Sequence, residues 1–169
     1  KMIFLDAKPN KAHLKLAEME RAGKLSAIVT QNIDGLHQAA GSKNVFELHG
    51  SVHRNYCQKC GKFFDVNYVV NAKGVPYCDE CGGIIKPDVV LYEEGLDSQT
   101  INGAVRAISK ADMLIIGGTS LVVYPAAGMI DYFKGKYLAV LNRDATSRDK
   151  QADLCITDPI GEVLGRIRV

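Results

Sequence analysis

The sequence predicts an α/β fold: a parallel sheet with helices on both faces and one small cysteine-rich module inserted into it. Short apolar runs alternate with segments of helical periodicity, as in chains built from βαβ units. Four of the five cysteines form two C-x2-C pairs, separated by seventeen residues. A chain of 169 residues has room for one main core and one small insertion.

The helices and strands are predicted from capping signals and apolar runs. Asn10 can cap a first helix, in which Ala12, Leu16 and Met19 share a face, and Gly23 can end it. Further helices are predicted over residues 98–110, 124–133 and 161–167. Short runs suited to buried parallel strands span residues 25–30, 45–48, 113–117, 137–141 and 153–156.

Composition and charge argue against several classes of protein. The formal net charge is +2, and the basic residues of 52–86 are offset by acidic ones, so we expect no direct nucleic-acid partner. No apolar run approaches the roughly 20 residues that cross a bilayer, and no signal peptide is visible, so we expect no membrane partner.

The cysteine pairs have the spacing of a structural zinc site. Cys57 with Cys60, and Cys78 with Cys81, offer four thiolates to one Zn2+ ion. Four cysteines leave no open coordination position, which argues against a catalytic zinc. A chain of this size does not need disulfides, so these thiols favour a reducing, cytoplasmic setting.

Polar residues follow four of the predicted strands. Because ligands bind beyond the carboxyl ends of parallel strands, these segments together indicate a lined cleft. The four segments are Thr30-Gln31-Asn32-Ile33-Asp34-Gly35, His49-Gly50, Gly117-Gly118-Thr119-Ser120 and Asn142-Arg143-Asp144.

Each segment taken alone also has a structural interpretation. The loop at 30–35 favours a capped turn over a binding loop. His49 fits a structural histidine, although a histidine facing a cleft can act as a general base near neutral pH. His37 is interpreted as an orienting or surface residue, and His13 and His53 are given no role.

The two later segments are ambiguous in the same way. Gly118, Thr119 and Ser120 could bind phosphate together with a following helix N-terminus, but the full G-x-G-x-x-G spacing is missing. Asn142 and Arg143 could reach a ribose or be solvated.

In order, the motifs resemble the sirtuin family. They are T-Q-N-I-D-G-L-H, F-E-L-H-G, the two C-x2-C pairs, K-P-D-V-V, G-T-S-L and L-N-R, matching from about Pro9 to the C-terminus. The resemblance implies a Rossmann-like NAD-binding domain over 1–51 and 93–169, with a zinc module and substrate-binding segment over 52–92. It also implies an NAD-dependent protein-lysine deacylase, which transfers the acyl group of a peptide to ADP-ribose and releases nicotinamide.

The resemblance further implies a role for individual residues. His49 would be the base that takes a proton from a ribose hydroxyl, with Asn32 and Asp34 as catalytic partners. The implied NAD contacts are Gln31, Asn32, Ile33, Asp34, Gly118, Thr119, Ser120, Asn142, Arg143 and Cys155, although Cys155 fits a plain core thiol equally well. The implied peptide-binding residues are Val89, Val90, Leu91 and Tyr92.

Two features depart from the family pattern. The glycine-rich G-A-G-x-S segment does not occur; we expect it upstream of Lys1, and we expect the chain to be inactive without it. Glu93 stands where the family usually has glycine, which bears on peptide affinity. Mono-ADP-ribosyl transfer, removal of other acyl groups, and a non-catalytic NAD-binding scaffold remain as alternatives, although His49, Asn32 and Asp34 together argue against the scaffold.

Overall fold

The computed structural model describes residues 5–91 and 93–169. In these residues the strands are β1 (Ile28–Thr30), β2 (Val45–Glu47), β3 (Gly50–Cys57), β4 (Phe63–Asp65), β5 (Ile85–Val89), β6 (Met113–Gly117), β7 (Tyr137–Leu141) and β8 (Leu154–Ile156). The α-helices are α1 (Lys11–Arg21), α2 (Leu36–Ala39), α3 (Val66–Asn71), α4 (Ser98–Lys110) and α5 (Ile160–Gly165). Two 3₁₀ helices span Ala126–Tyr132 and Asp149–Gln151.

Capping explains where α1 begins and ends. The side chain of Asn10 accepts hydrogen bonds from the backbone N–H groups of Ala12 and His13, at 2.9 and 3.2 Å. Nδ1 of His13 accepts from the N–H of Asn10 at 3.2 Å, which completes a reciprocal capping box. Gly23 follows the helix with a φ of +68°, a conformation that glycine adopts without strain. The sequence-based prediction of this helix is confirmed.

The parallel strands form two sheets within residues 5–91 and 93–169. β1 pairs with β2, and β6, β7 and β8 pair in that order, all in parallel. The predicted bounds of β6 and β7 are confirmed to the residue, whereas β1 and β2 are shorter than predicted.

Both faces of β7 are covered. On one face, Ala139 and Leu141 pack with Ala12 of α1 and Leu164 of α5. On the other, Leu138 and Val140 pack with partly buried side chains that include Ile130 and Phe133. Successive strand residues point to opposite faces, so the alternation places an apolar core on each side, as predicted.

The segment after β6 differs from its prediction. An α-helix was predicted over residues 124–133, but the chain forms a 3₁₀ helix, Ala126–Tyr132. Pro125 lacks a backbone donor, and Gly128, with its low helix propensity, lies against the ring of Tyr124. The apolar pattern indicates a helix, and these two residues favour a 3₁₀ helix over an α-helix.

The inserted module is antiparallel. β3 lies between β4 and β5, and α3 packs Val69 against Phe64 and Ile85 in a core that includes Cys57 and Cys78. This core is small, and the cysteines contribute part of it. The domain boundaries at residues 51/52 and 92/93 stay a prediction. None of the described helices is long and apolar enough to cross a lipid bilayer.

Candidate active site and zinc-binding cluster

The carboxyl ends of the parallel strands bring two of the predicted segments together. Oγ1 of Thr119, in the loop after β6, donates a hydrogen bond to Oε1 of Gln31, in the loop after β1, at 3.4 Å. The two sheets therefore meet through side chains at this edge. This contact joins two residues that are 88 positions apart in the chain.

His49 follows β2 at the same edge, and its orientation is set by the main chain. Its Nδ1 lies 3.0 Å from the carbonyl oxygen of Gln31. A carbonyl can only accept, so Nδ1 carries the proton and Nε2 keeps a free lone pair. The half-buried imidazole is thus held in the tautomer that a general base requires.

The loop after β1 is held by its own side chains. Oγ1 of Thr30 accepts from the N–H of Asn32 at 3.1 Å, and Oδ1 of Asp34 accepts from the N–H of Leu36 at 3.0 Å. Gly35 has a φ of +68°. The loop is therefore a capped turn, and it leaves Asn32 exposed at the predicted site.

His53 lies in this site although the sequence pointed to no role for it. Its Nε2 donates to the carbonyl oxygen of Asp34 at 2.9 Å. The ring lies over Gly35, where an added Cβ would come within 2.8 Å of Cδ2 of the imidazole. His49 lies in a turn and Gly50 has a φ of +73°, so strand periodicity does not relate the two histidines, and the sequence carried no local signal for His53.

The segment after β6 differs in one respect from the phosphate-binding arrangement that was predicted. Gly118 has a φ of +61°, and its N–H donates to the carbonyl oxygen of Leu141 at 3.1 Å. The next helical turn begins only at Ala126, so no helix N-terminus directly follows Ser120. The following helix begins two residues later than the predicted start at Tyr124, and the binding of phosphate by this segment stays a prediction.

The residues after β7 and in β8 lie at the far side of the same edge. The N–H of Asn142 donates to the carbonyl oxygen of Ile156 at 3.1 Å, and its Nδ2 donates to that of Asp144 at 2.8 Å. Arg143 is exposed. Cys155 is also exposed, so its interpretation as a core thiol is wrong.

The predicted peptide segment is tied directly to His49. The N–H of Val90 donates to the carbonyl oxygen of His49 at 3.1 Å. Val89 ends β5, and Leu91 is exposed. Tyr92 lies outside the described residues.

Glu94 closes the loop that follows this segment. Its carboxylate accepts from the N–H of Leu91 and from Nζ of Lys86, both at 3.0 Å. These two donors hold the pKa of Glu94 below its ordinary value. The N–H of Glu94 donates back to the carbonyl oxygen of Leu91 at 3.1 Å, which makes Glu93 the third residue of a tight turn.

Glu93 adopts a φ of +72°, a region that favours glycine at the third position of a turn. A left-handed conformation costs a non-glycine residue about 1 kcal/mol. We expect Glu93→Gly to relieve this strain and to raise the free energy of unfolding by up to about 1 kcal/mol over that of Glu93→Ala. Glu93→Ala is the matched control, because it removes the carboxylate and keeps the Cβ. Urea unfolding measures the stability of both variants, and equal values would contradict the strain argument.

Two histidine rings, those of His13 and His37, are in contact at an interplanar angle of 60°. Their centroids lie 4.7 Å apart. Burial lowers the pKa of both imidazoles below the ordinary value. For His37, the neighbouring His13 lowers the pKa further.

These lowered pKa values predict a pH dependence of stability. Below pH about 6.5 the unfolded chain binds more protons than the folded chain, so the free energy of unfolding falls as the pH falls. We expect a loss under about 1 kcal/mol between pH 7.5 and 5.5, because both rings are partly exposed and screened. Urea unfolding at the two pH values measures it, and His37→Gln should reduce the difference. An unchanged difference in that variant would rule out His37 as a source.

The four paired cysteines converge as predicted. Their Sγ atoms all lie within 4.8 Å of one another, with Cys57 and Cys81 at 3.4 Å and Cys60 and Cys78 at 3.7 Å. Tetrahedral Zn–S bonds of about 2.3 Å imply sulfur–sulfur distances of about 3.8 Å. The backbone N–H groups of Cys60 and Lys59 lower the pKa of Cys57 to about 6, whereas the pKa of Cys60 and of Cys81 is raised, against the backbone N–H groups that bond them, by side-chain hydrogen bonds among the four thiols. The cluster therefore fits one tetrahedral Zn2+ ion.

A salt bridge joins the two halves of the cysteine cluster. Nζ of Lys62, beside the first pair, contacts the carboxylates of Asp79 and Glu80 in the second pair, at 2.7 and 2.9 Å. The two carboxylates are largely exposed and the Lys62 side chain is 32% exposed, so the bridge contributes little to stability compared with a metal.

Comparisons with known proteins decide the family. The Sir2 family model matches residues 1–125. The chain belongs to the Sir2 family, the sirtuins. This sirtuin is 67% identical over 165 residues to an NAD-dependent protein deacetylase of Clostridium acetobutylicum, a match that covers 97% of this chain and 67% of the relative. It is 46% identical over 164 residues to a protein of the same name from Staphylococcus aureus, covering 97% of the chain and 67% of that protein.

Solved sirtuin structures share the fold. A Sir2 protein with a p53 peptide and NAD+ superposes with a TM-score of 0.89 and 41% identity, covering 96% of this sirtuin and 70% of that chain. A second, with 2′-O-acetyl-ADP-ribose, an inhibitor and a deacetylated p53 peptide, has a TM-score of 0.89 and 42% identity over 96% of this sirtuin and 71% of that chain. The predicted family and fold class are confirmed, and the roles of individual residues stay predictions.

Proposed function

We propose that this sirtuin is an NAD-dependent protein-lysine deacylase. It transfers the acyl group of a modified lysine to ADP-ribose and releases nicotinamide. The observation that carries the proposal is His49, whose Nδ1–H is bonded to the carbonyl oxygen of Gln31 at 3.0 Å, which leaves Nε2 as a base at the strand edge. Relatives named NAD-dependent protein deacetylase, and Sir2 structures with acetylated peptide or NAD+, support it.

NAD, as a cosubstrate, supplies a good leaving group and an electrophilic ribose carbon. The protein then has to orient the reactants, exclude water and remove one proton. Nε2 of His49 takes the proton of a ribose hydroxyl once the amide oxygen of the substrate has displaced nicotinamide. A polar cleft with one well-oriented imidazole is sufficient for this task.

The residues of the strand edge hold the cosubstrate in this proposal. Gln31 and Asn32 contact the nicotinamide ribose and order water, while Ile33 and Asp34 line the nicotinamide pocket. On the other side, the phosphates and adenosine are contacted by Gly118, Thr119, Ser120, Asn142, Arg143 and Cys155. The hydrogen bond between Thr119 and Gln31 supports one continuous site, because it joins the two halves.

The acyl-lysine peptide binds as an added strand along Val89, Val90, Leu91 and Tyr92. Main-chain hydrogen bonds provide most of the affinity in this mode of recognition, so sequence selectivity is modest. The bond from Val90 to His49 supports the assignment, since it places the segment beside the base. A similar Sir2 structure is bound to a propionylated peptide, which favours acyl groups other than acetyl as further substrates.

The zinc module is structural in this proposal, and it occupies residues 52–92 between two parts of the NAD-binding domain. Four cysteine ligands leave no position for a substrate. We place the protein in the cytoplasm, where unbridged thiols persist.

Mass spectrometry tests the proposed reaction on protein from the complete open reading frame. Acetyl-lysine peptide is incubated with and without NAD, and deacetylated peptide and O-acetyl-ADP-ribose are detected. We expect both products in equal amounts, and only with NAD. Folded, zinc-loaded protein that forms neither product would contradict deacetylation. Transfer of ADP-ribose to the peptide instead would identify a mono-ADP-ribosyltransferase.

A further inference from the structure

Arg54 joins strands of two different sheets. Its Nη1 lies 2.7 Å from Oε2 of Glu47, the last residue of β2 in the parallel sheet. Its Nε lies 2.8 Å from Oδ2 of Asp88, in β5 of the antiparallel sheet. A single guanidinium in β3 therefore bridges the strand that precedes His49 and the strand that leads into the peptide segment.

The contact with Glu47 is the more buried of the two. The Glu47 side chain is only 9% exposed, whereas that of Asp88 is 45% exposed. A buried carboxylate needs a charged partner, and removing that partner is costly. Although burial alone would lower it, the hydrogen bonds that Arg54 donates to both carboxylates raise the pKa of its guanidinium, so the bridge stays charged.

The backbone brings the same strands together beside this bridge. Gly50 lies so close to the main chain of Asp88 that an added Cβ would come within 1.9 Å of its carbonyl oxygen. The N–H of Val90 donates to the carbonyl oxygen of His49 at 3.1 Å. The spacing between the base and the peptide segment is thus set by these backbone contacts and by one ion bridge.

We propose that Arg54 is a positioning residue that holds the peptide segment at its working distance from His49. The inference rests on the proposed deacylase function. Among the described residues, the Arg54 side chain bonds to Glu47 and Asp88 and to none of the residues to which the NAD contacts are assigned. Its loss should therefore impair use of the peptide and leave use of NAD unchanged.

Steady-state kinetics of protein from the complete open reading frame test the proposal. We expect Arg54→Gln to raise KM for an acetyl-lysine peptide about tenfold, with KM for NAD within about twofold of the parent value. The peptide KM of Arg54→Lys should lie between those of the parent protein and Arg54→Gln, because a single ammonium lacks the fork that reaches both carboxylates. Asp88→Asn should reproduce part of the peptide effect.

Asp88→Asn also separates an effect on peptide use from a loss of folding. It keeps the buried pair of Arg54 with Glu47, and Asp88 is exposed, so the variant should unfold at the parent temperature. The double variant Arg54→Gln with Asp88→Asn should be no worse than Arg54→Gln alone, because the second change removes a contact already lost.

Two results would overturn the inference. The first is an unchanged peptide KM in Asp88→Asn and, where it folds, in Arg54→Gln. The second is an equal rise in KM for peptide and NAD, which would indicate general disruption. An inactive parent protein would instead overturn the proposed function. In that case, fluorescence anisotropy of peptide binding tests the role of Arg54. Equal peptide affinity in the parent protein and in Asp88→Asn would contradict that role.

Discussion

Replacing His49 by alanine is expected to lower kcat of the NAD-dependent deacylation by about 10²–10⁴-fold, the range that a general base contributes. The structure holds this imidazole at the strand edge with a free lone pair at Nε2, because Nδ1 is bonded to the carbonyl oxygen of Gln31. Peptide affinity should change little, since Val90 bonds to the backbone of His49 and not to its side chain. Single-turnover rates and peptide titrations separate these two quantities.

His49→Asn is the matched control for orientation. Its amide nitrogen occupies roughly the place of Nδ1 and can still donate to the carbonyl oxygen of Gln31, but no group replaces Nε2. We expect it to be as inactive as the alanine variant, with an unchanged unfolding temperature. Recovery of activity in His49→Asn would show that the hydrogen bond matters and the base does not.

Removal of one zinc ligand is expected to unfold the inserted module. The core around Phe64, Val69 and Ile85 includes Cys57 and Cys78 themselves, and few other apolar side chains are buried there. Structural zinc contributes about 10–16 kcal/mol of binding free energy in small zinc-dependent peptides. Cys78→Ser should therefore reduce bound zinc from one ion per chain to less than about a tenth, with loss of activity. Elemental analysis and thermal unfolding measure both effects.

Cys155→Ser provides the matched comparison for this prediction. Cys155 is an exposed cysteine in β8, outside the cluster. The variant should keep one zinc ion and the parent unfolding temperature. Chelation of zinc from the parent protein should reproduce the effect of Cys78→Ser. If Cys78→Ser retains a full equivalent of zinc, the four-cysteine site is wrong.

Local signals explain what the sequence predicted well. The run Met113–Gly117 is apolar and lies between Asp112 and Gly118, a charged residue and a glycine, so both ends of that strand follow from composition. Asn10 and Gly23 likewise mark α1 by capping chemistry. The cysteine cluster follows from spacing alone, because each C-x2-C turn presents two sulfurs to one ion.

Contacts between distant residues explain what the sequence did not predict. The bridge from Arg54 to Glu47 and Asp88 joins residues seven and 34 positions away, and no local pattern indicates such pairing. The role of His53 depends on where Gly35 lies in space. Pairing between strands is also non-local, so the division of the parallel strands into two sheets was not visible in their apolar runs.

The anchoring of His49 by a main-chain carbonyl has a consequence for how such an enzyme can diversify. The carbonyl belongs to Gln31, yet every amino acid supplies the same oxygen at that position. A substitution at position 31 can therefore change what the side chain recognises while the imidazole keeps its orientation. The side chain of residue 31 contributes to recognition, while its backbone oxygen orients the imidazole that transfers the proton. Selection can therefore change recognition without losing proton transfer.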